Sequence, residues 1–159
     1  MLAFRRRKGA ELMEAAMAAG SAALIRKWFE EVWNQGREET IDAMCDKGAI
    51  GYGQAQSGTA IRGPEHFKQF WCSFRSAFSN IHVDIQETIE QEDRVAARWT
   101  ITMDHTGAFL GIASTNKHVS VNGISIQRFE NGLIIEAWDN WDQLALLVQL
   151  GAVAEPKFL

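Results

Sequence analysis

Asp139 stands in the stretch "IIEAWDNWDQL", from Ile134 to Leu144, among unusual neighbours for a carboxylate. Read as a strand, the stretch alternates its side chains with a period of two, so Leu133, Ile135, Ala137, Asp139 and Trp141 share one face. The other four are apolar. Burying an unpaired carboxylate there costs on the order of several kcal/mol unless it is protonated or hydrogen-bonded. Asp139 is therefore at an edge, satisfied by a neighbour, or kept for chemistry. The chemistry would be proton transfer: apolar surroundings raise a carboxyl pKa, giving a better base near neutrality and a competent acid afterwards. Capping the closing helix does not require Asp139, because Asp142 is better placed for it.

His105 ends the alternating row Val95, Ala97, Trp99, Ile101 and Met103, so its ring points the same way as Trp99. If that row lines a cavity, His105 could orient Asp139 or donate to a ligand oxygen; the competing reading is a satisfied core or rim histidine. His66, His82 and His118 fall on predicted surfaces and read as solvated. No HxH, HxxxH or CxxC spacing occurs, so no metal is expected. "GYGQAQSG" lacks the spacing of a phosphate loop, and no Ser or Cys is framed with a His as a nucleophile.

The elements that must position these residues follow from periodicity. Leu24, Ile25, Trp28, Phe29, Val32 and Trp33 recur at helical spacing, with Gly36 as the stop. A short helix through Ile41 and Met44 precedes a glycine-rich, irregular segment with a short strand at Ile50 to Tyr52. Pro64 opens a helix carrying the aromatic stripe Phe67, Phe70, Trp71, Phe74 and Phe78. After Asn80 the period becomes two, through Ile81 to Glu90, Val95 to His105, His118 to Phe129 and the strand of Asp139. Asn131-Gly132 marks a hairpin, and Gly151 ends a last helix of Leu144, Leu147, Val148 and Leu150. Helices first, then an antiparallel meander, then a short helix predict an α+β fold with helices over one face of a curved sheet. That arrangement is a cone with an apolar, ligand-sized interior.

One parity problem stands out. Val119 and Val121 alternate normally, but Ile124 and Ile126 take the opposite parity across Asn122-Gly123. Either a bulge restores the isoleucines to the core, or Ser125 and Gln127 face the interior with Asp139 and the isoleucines face a partner subunit.

Composition sets the class. The chain has 159 residues, 47% of them apolar and 23% charged, enough for one domain with a proper core. Six Trp and nine Phe against one Tyr imply a wide core, a pocket or a subunit interface. The net charge of −4 argues against nucleic acid. No run approaches a membrane span, and the Arg5–Lys8 run reads as a helix start rather than an export signal because Glu11 and Glu14 follow it. Cys45 and Cys72, in predicted helices, read as reduced core residues, and the protein as cytoplasmic. The expected organisation is a tail or helix extension over 1–20, one domain over 21–151 and a tail over 152–159.

"FEEVWNQG", "GPEHFKQFW" and "HTGAFLGIASTNKHVSVNGISIQRFENGLIIEAWDNWDQLALLVQLG" together resemble the SnoaL-like polyketide cyclases, a branch of the nuclear transport factor 2-like, cystatin-like fold. The likeness runs from about residue 22 to 151. It implies a cone-shaped α+β barrel, its curved antiparallel sheet wrapped around N-terminal helices. It also implies a homodimer through the outer sheet face, and an apolar pocket in each protomer. Asp139 matches the family's acid/base for intramolecular aldol ring closure, without metal or cofactor, and His105 matches the histidine of its His-x-Gly segment. The substrate-binding positions so implied are Tyr52, at the cone mouth, with Phe67, Trp71, Trp99, Met103, Phe109, Ser125, Gln127 and Trp141. Three departures mark this chain: Ser125 where some relatives have histidine, Ala108 where Glu is common, and Ala113 to Lys117 in place of a Pro-Thr-Gly loop. The resemblance favours Ser125 and Gln127 facing inward. The expected activity is a cofactor-free cyclase, in isomerase or lyase chemistry, on a polyketide-like apolar carbonyl compound. The alternatives are a non-catalytic binder of a small apolar ligand, and an epoxide hydrolase or dehydratase on the same fold. For the water-activating epoxide hydrolases, Arg98-Trp99-Thr100 lacks the aspartate of an Arg-x-Asp pair.

Overall fold

The computed structural model describes residues 20–54, 58–155 and 157; all of the predicted N-terminal extension except Gly20, its basic run included, lies outside them. Helix α1 (Gly20–Trp28) continues as a π-helical segment (Phe29–Asn34), followed by α2 (Glu38–Met44) and strand β1 (Cys45–Tyr52). Next come a two-residue strand β2 (Ile61–Arg62), the aromatic helix α3 (Gly63–Ala77), β3 (Phe78–Gln91), β4 (Arg94–His105), β5 (His118–Glu130), β6 (Leu133–Trp141) and α4 (Gln143–Leu150). All strands join one open sheet in the order β2-β1-β6-β5-β4-β3. The α+β architecture and the β3-to-β6 meander are as expected. Two points differ. Strand β1 is longer than the predicted Ile50–Tyr52 stretch, and it pairs parallel to β6 while every other pair is antiparallel. Strand β2 was not legible, since two residues carry no period.

The helices are docked on the inner face by specific polar contacts. Glu90 accepts from the backbone N–H groups of Ser21 and Ala22, placing an anion at the start of α1. At the other end, carbonyls that the helix cannot satisfy receive side chains from α3: Trp71 donates to the Val32 carbonyl at 3.1 Å and Arg75 to that of Trp33 at 2.9 Å. Asn34 then clips both backbone groups of Val83 on β3. The last helix starts where expected, with Asp142 accepting from Ala145, and stops at Gly151 in the left-handed conformation. Gln149 explains the terminal Gln-Leu-Gly: its amide bonds both the N–H and the carbonyl of Ser120, extending the sheet past the end of β6.

The parity problem has a definite answer. Pairing of β4 with β5 runs without a register shift from Arg94↔Arg128 to Asp104↔His118. Val119, Val121, Gly123, Ser125, Gln127 and Phe129 therefore all face inward, while Ile124 and Ile126 lie on the outer face, 50% and 38% exposed. The irregularity sits one strand later. Phe129 pairs with Ile134 and Arg128 with Glu136, so Ile135 is a bulge and the inward row of β6 reads Ile134, Ala137, Asp139, Trp141. The predicted face was right from Ala137 onward and wrong before it. The cysteines also differ from expectation: Cys45 is on β1 and half-buried, and Cys72 is exposed on α3.

Candidate active site

Three inner rows of the sheet build the site, Trp99–Gly123–Trp141, Ala97–Ser125–Asp139 and Val95–Gln127–Ala137. Because Gly123 has no side chain, the Trp99 indole lies across β5; a Cβ there would meet it at 2.3 Å. The indole Nε1–H thereby reaches the Ser125 hydroxyl at 2.9 Å. With one lone pair taken, the Ser125 O–H turns to its cross-strand neighbour and donates to Asp139 Oδ1. The other carboxyl oxygen, Oδ2, accepts from Gln54 Nε2 at 2.5 Å.

Gln54 arrives by a tight reversal after β1. Gly53 has φ of +86°, and its α-carbon sits so close to the Asp139 carbonyl that a Cβ would lie 1.8 Å from the oxygen. That turn sends Tyr52 and Gln54 to different places. Tyr52 pairs with Trp138 and stacks on it at 5.8 Å, on the face opposite Asp139. The predicted role of Tyr52 at the pocket is thus corrected: the polar group closing over the carboxyl is Gln54, which the residue pattern did not reveal.

Asp139 is half-buried as a residue, its carboxyl end the deep part, and burial pushes that carboxyl above the usual carboxylate range. The hydrogen bonds from Ser125 and Gln54 pull the other way without cancelling it. The carboxyl opens on a chamber of about 60 Å³ walled by Trp28, Phe29, Trp33, Phe70, Trp99 and Trp141, among others. Outside it lies a wider vestibule of about 750 Å³, bordered by Thr59, Arg62, His66, Phe109 and Gln143; Gln54, Phe70, Phe74 and Trp141 are shared by both. These shared aromatics form the partition between solvent and carboxyl.

The other expected positions divide. Trp99, Ser125 and Trp141 are at the carboxyl, Phe109 is in the vestibule, and Phe67 and Gln127 line a smaller adjoining cavity of about 40 Å³. Trp71 and Met103 are buried and line none of these spaces; Trp71 serves the helix docking described above. His105 is also elsewhere. Its Nδ1 accepts from the Thr115 N–H at 3.2 Å, its backbone pairs with Asn116 and Lys117, and its ring lies 5.2 Å from Phe78. Burial holds it below the usual histidine range. His105 fixes the loop that carries Phe109; it does not touch Asp139. Trp28, Phe29 and Trp33 were legible only as core positions, because a helical stripe does not tell a packed ring from a cavity wall. His66, His82 and His118 are exposed as expected. Among the described residues no group of three or more His, Cys, Asp or Glu could hold a metal ion, and no helix is long and apolar enough to cross a membrane.

The raised Asp139 carboxyl has a measurable consequence. Its folded-state pKa lies above its unfolded value, so between the two the folded chain binds more protons, and stability falls as pH rises through that window. Urea titrations from about pH 4 upward should show Asp139→Asn gaining on the wild type with increasing pH. A constant gap across the series contradicts the raised carboxyl.

A sequence model described as SnoaL-like polyketide cyclase matches residues 23–150. Among curated proteins none matches significantly. Among solved structures, AclR of Streptomyces galilaeus, described as a candidate hydroxylase, shares 26% identity at a TM-score of 0.73, over 86% of this chain and 83% of that one. IdmH of Streptomyces antibioticus, described as a candidate polyketide cyclase, shares 25% at 0.71, over 82% and 97%. A candidate SnoaL-like polyketide cyclase from Jannaschia sp. CCS1, at 20% identity and 0.75 over 85% and 92%, is alike in fold. With its sheet, its aromatic chamber and its inward aspartate, this chain belongs to the SnoaL-like polyketide cyclase family.

Proposed function

We propose that this protein is a cyclase that closes a ring in a polyketide-like carbonyl compound by aldol chemistry, with Asp139 as base and then acid. The observation that carries this reading is a buried carboxyl, held by two donors on the wall of an otherwise apolar chamber, where burial favours its protonated form. In the forward reaction the carboxylate takes a proton from carbon next to a carbonyl. The enolate carbon attacks a second carbonyl of the same molecule, the carbon–carbon bond forms, and the proton on Asp139 passes to the new alkoxide. Only a proton is transferred and returned, so the step calls for neither metal nor redox cofactor. The chamber is smaller than the about 150 Å³ that holds one benzene ring. A ring system therefore rests in the vestibule and reaches the carboxyl by pressing Phe70 and Trp141 apart.

The first half of this reaction can be tested without the natural substrate. In deuterated buffer, α-tetralone, an apolar cyclic ketone, should exchange its α-protons faster with the protein than without it, by proton NMR. Exchange at the buffer rate, or exchange undiminished in Asp139→Asn, contradicts the reading.

The same reading extends to the assembly: two copies pair through the outer sheet face. Ile89, Ala96, Ile126, Trp138 and Tyr52 form one apolar row across five strands, flanked by Arg128–Glu136 and Arg98–Glu87 ion pairs. Both charge signs beside an apolar centre suit a two-fold self-contact of at least about 1,000 Å². Light scattering at micromolar concentration should give about twice 17.8 kDa for the wild type and the single-chain mass for Ile126→Arg. A monomeric wild type contradicts this.

A further inference from the structure

Gln127 is 3% exposed, and its Oε1 is buried with no hydrogen-bond partner among the described residues. It was brought inward by the uninterrupted register of β5, one inward position beyond Ser125. Leaving such a group unpaired costs about 1–3 kcal/mol, so it is rare without a reason. Gln127 lines the cavity of about 40 Å³ behind the chamber, together with Trp28, Gln54, Phe67 and Ile134. The second unsatisfied oxygen of that wall is Gln54 Oε1, the far end of the amide whose Nε2 holds Asp139. Two amides with open valences thus border one small space, and one of them is shared with the candidate acid/base.

We propose that this cavity is a specificity subsite for a hydroxyl group of the substrate, held between Gln127 and Gln54, with Gln54 as the positioning residue that links it to Asp139. The inference rests on the cyclase reading and names the substrate class within it: hydroxylated rather than bare ring ketones. Both open ends are acceptors, so a hydroxyl donates to Gln54 Oε1, and the Gln127 amide turns to present its N–H to the hydroxyl oxygen. The space admits one such group and not a ring, since a single water needs about 10–15 Å³ of it. A charged group does not suit it. The titratable side chain there is Cys45, whose thiol burial pushes up to about 12, so the wall stays uncharged. When Gln54 Oε1 is engaged by the hydroxyl, its amide is locked with Nε2 toward Asp139. When it is not, the amide is free to turn over and the carboxyl loses that donor.

The test uses α-tetralone and its 5-, 6-, 7- and 8-hydroxy isomers as probes, with dissociation constants from tryptophan quenching. For the wild type at least one hydroxy isomer should bind at least tenfold more tightly than α-tetralone. In Gln127→Leu that preference should fall below threefold while α-tetralone affinity stays within threefold. The urea midpoint of this variant should not fall, because an unsatisfied amide has been removed. Gln127→Asn, which keeps the amide but withdraws it, serves as a second variant should Gln127→Leu unfold. A wild type with no hydroxyl preference, including one that binds no isomer, overturns the subsite, as does a preference that survives in both variants. These outcomes are separable from failure of the cyclase reading, which is read from α-proton exchange of α-tetralone itself and its loss in Asp139→Asn.

Discussion

Asp139→Asn should lower turnover by on the order of 10² to 10⁴, roughly 3 to 5 kcal/mol at 1.36 kcal/mol per decade. Asparagine keeps the shape of the carboxyl and its contact with Ser125, whose O–H can still donate to the remaining oxygen. The second contact survives as well. Gln54 Nε2 would face an amide N–H, but its unsatisfied Oε1 turns over to accept that hydrogen. The substitution therefore imitates the protonated carboxyl while removing the proton acceptor. Stability should hold or rise near neutral pH, because a buried charge is gone. Substrate affinity should move little, so the loss should fall on kcat rather than KM. The wild-type rate should climb with pH as the base form appears, with its midpoint above the ordinary carboxylate range. An Asp139→Asn protein with unchanged kcat would leave the carboxylate without a chemical role.

Gly123→Ala should cost about 1–3 kcal/mol of stability, the usual range for forcing extra volume into a packed core. The added methyl would lie 2.3 Å and 2.4 Å from two carbons of the Trp99 indole. That ring is buried and has Phe29 at 6.0 Å, so it cannot yield without disturbing the helical side. Displacing it also breaks the Nε1 contact that sets the Ser125 hydroxyl on Asp139. Turnover should then fall roughly tenfold, the equivalent of one lost hydrogen bond of about 1–1.5 kcal/mol. Urea unfolding of Gly123→Ala, Trp99→Phe and the double variant separates the two effects. Phenylalanine makes room for the methyl, so the double variant should be less destabilised than the two single losses combined. Strict additivity would mean that the glycine does not serve the indole.

Part of this architecture was legible because it depends on short-range chemistry. Asn131-Gly132 turns the β5–β6 hairpin with φ of 51° and 78°, as that pair alone announces. Asp142 caps α4 and Gly151 ends it for reasons contained in a few adjacent residues. The alternation of β4 assigns Trp99 inward before any neighbour is known. The outward isoleucines were visible as a parity conflict, and the choice between bulge and interface needed the register of β4 against β5.

What the sequence by itself determined is the set of elements, the α+β class and the presence of one carboxylate in an apolar row, because periodicity and turn chemistry are local. The tertiary structure decided what that carboxylate touches. Its partners, Ser125 and Gln54, lie 14 and 85 residues away, and neither spacing has a period that a sequence could display. His105 and Tyr52 had the right residue types for a site, but a loop hydrogen bond claims the first and the outer face the second. A strand's parity fixes which way a side chain points relative to its neighbours in the chain. Only the pairing of distant strands, and the turn at Gly53 that folds Gln54 back over β6, fixes what it points at.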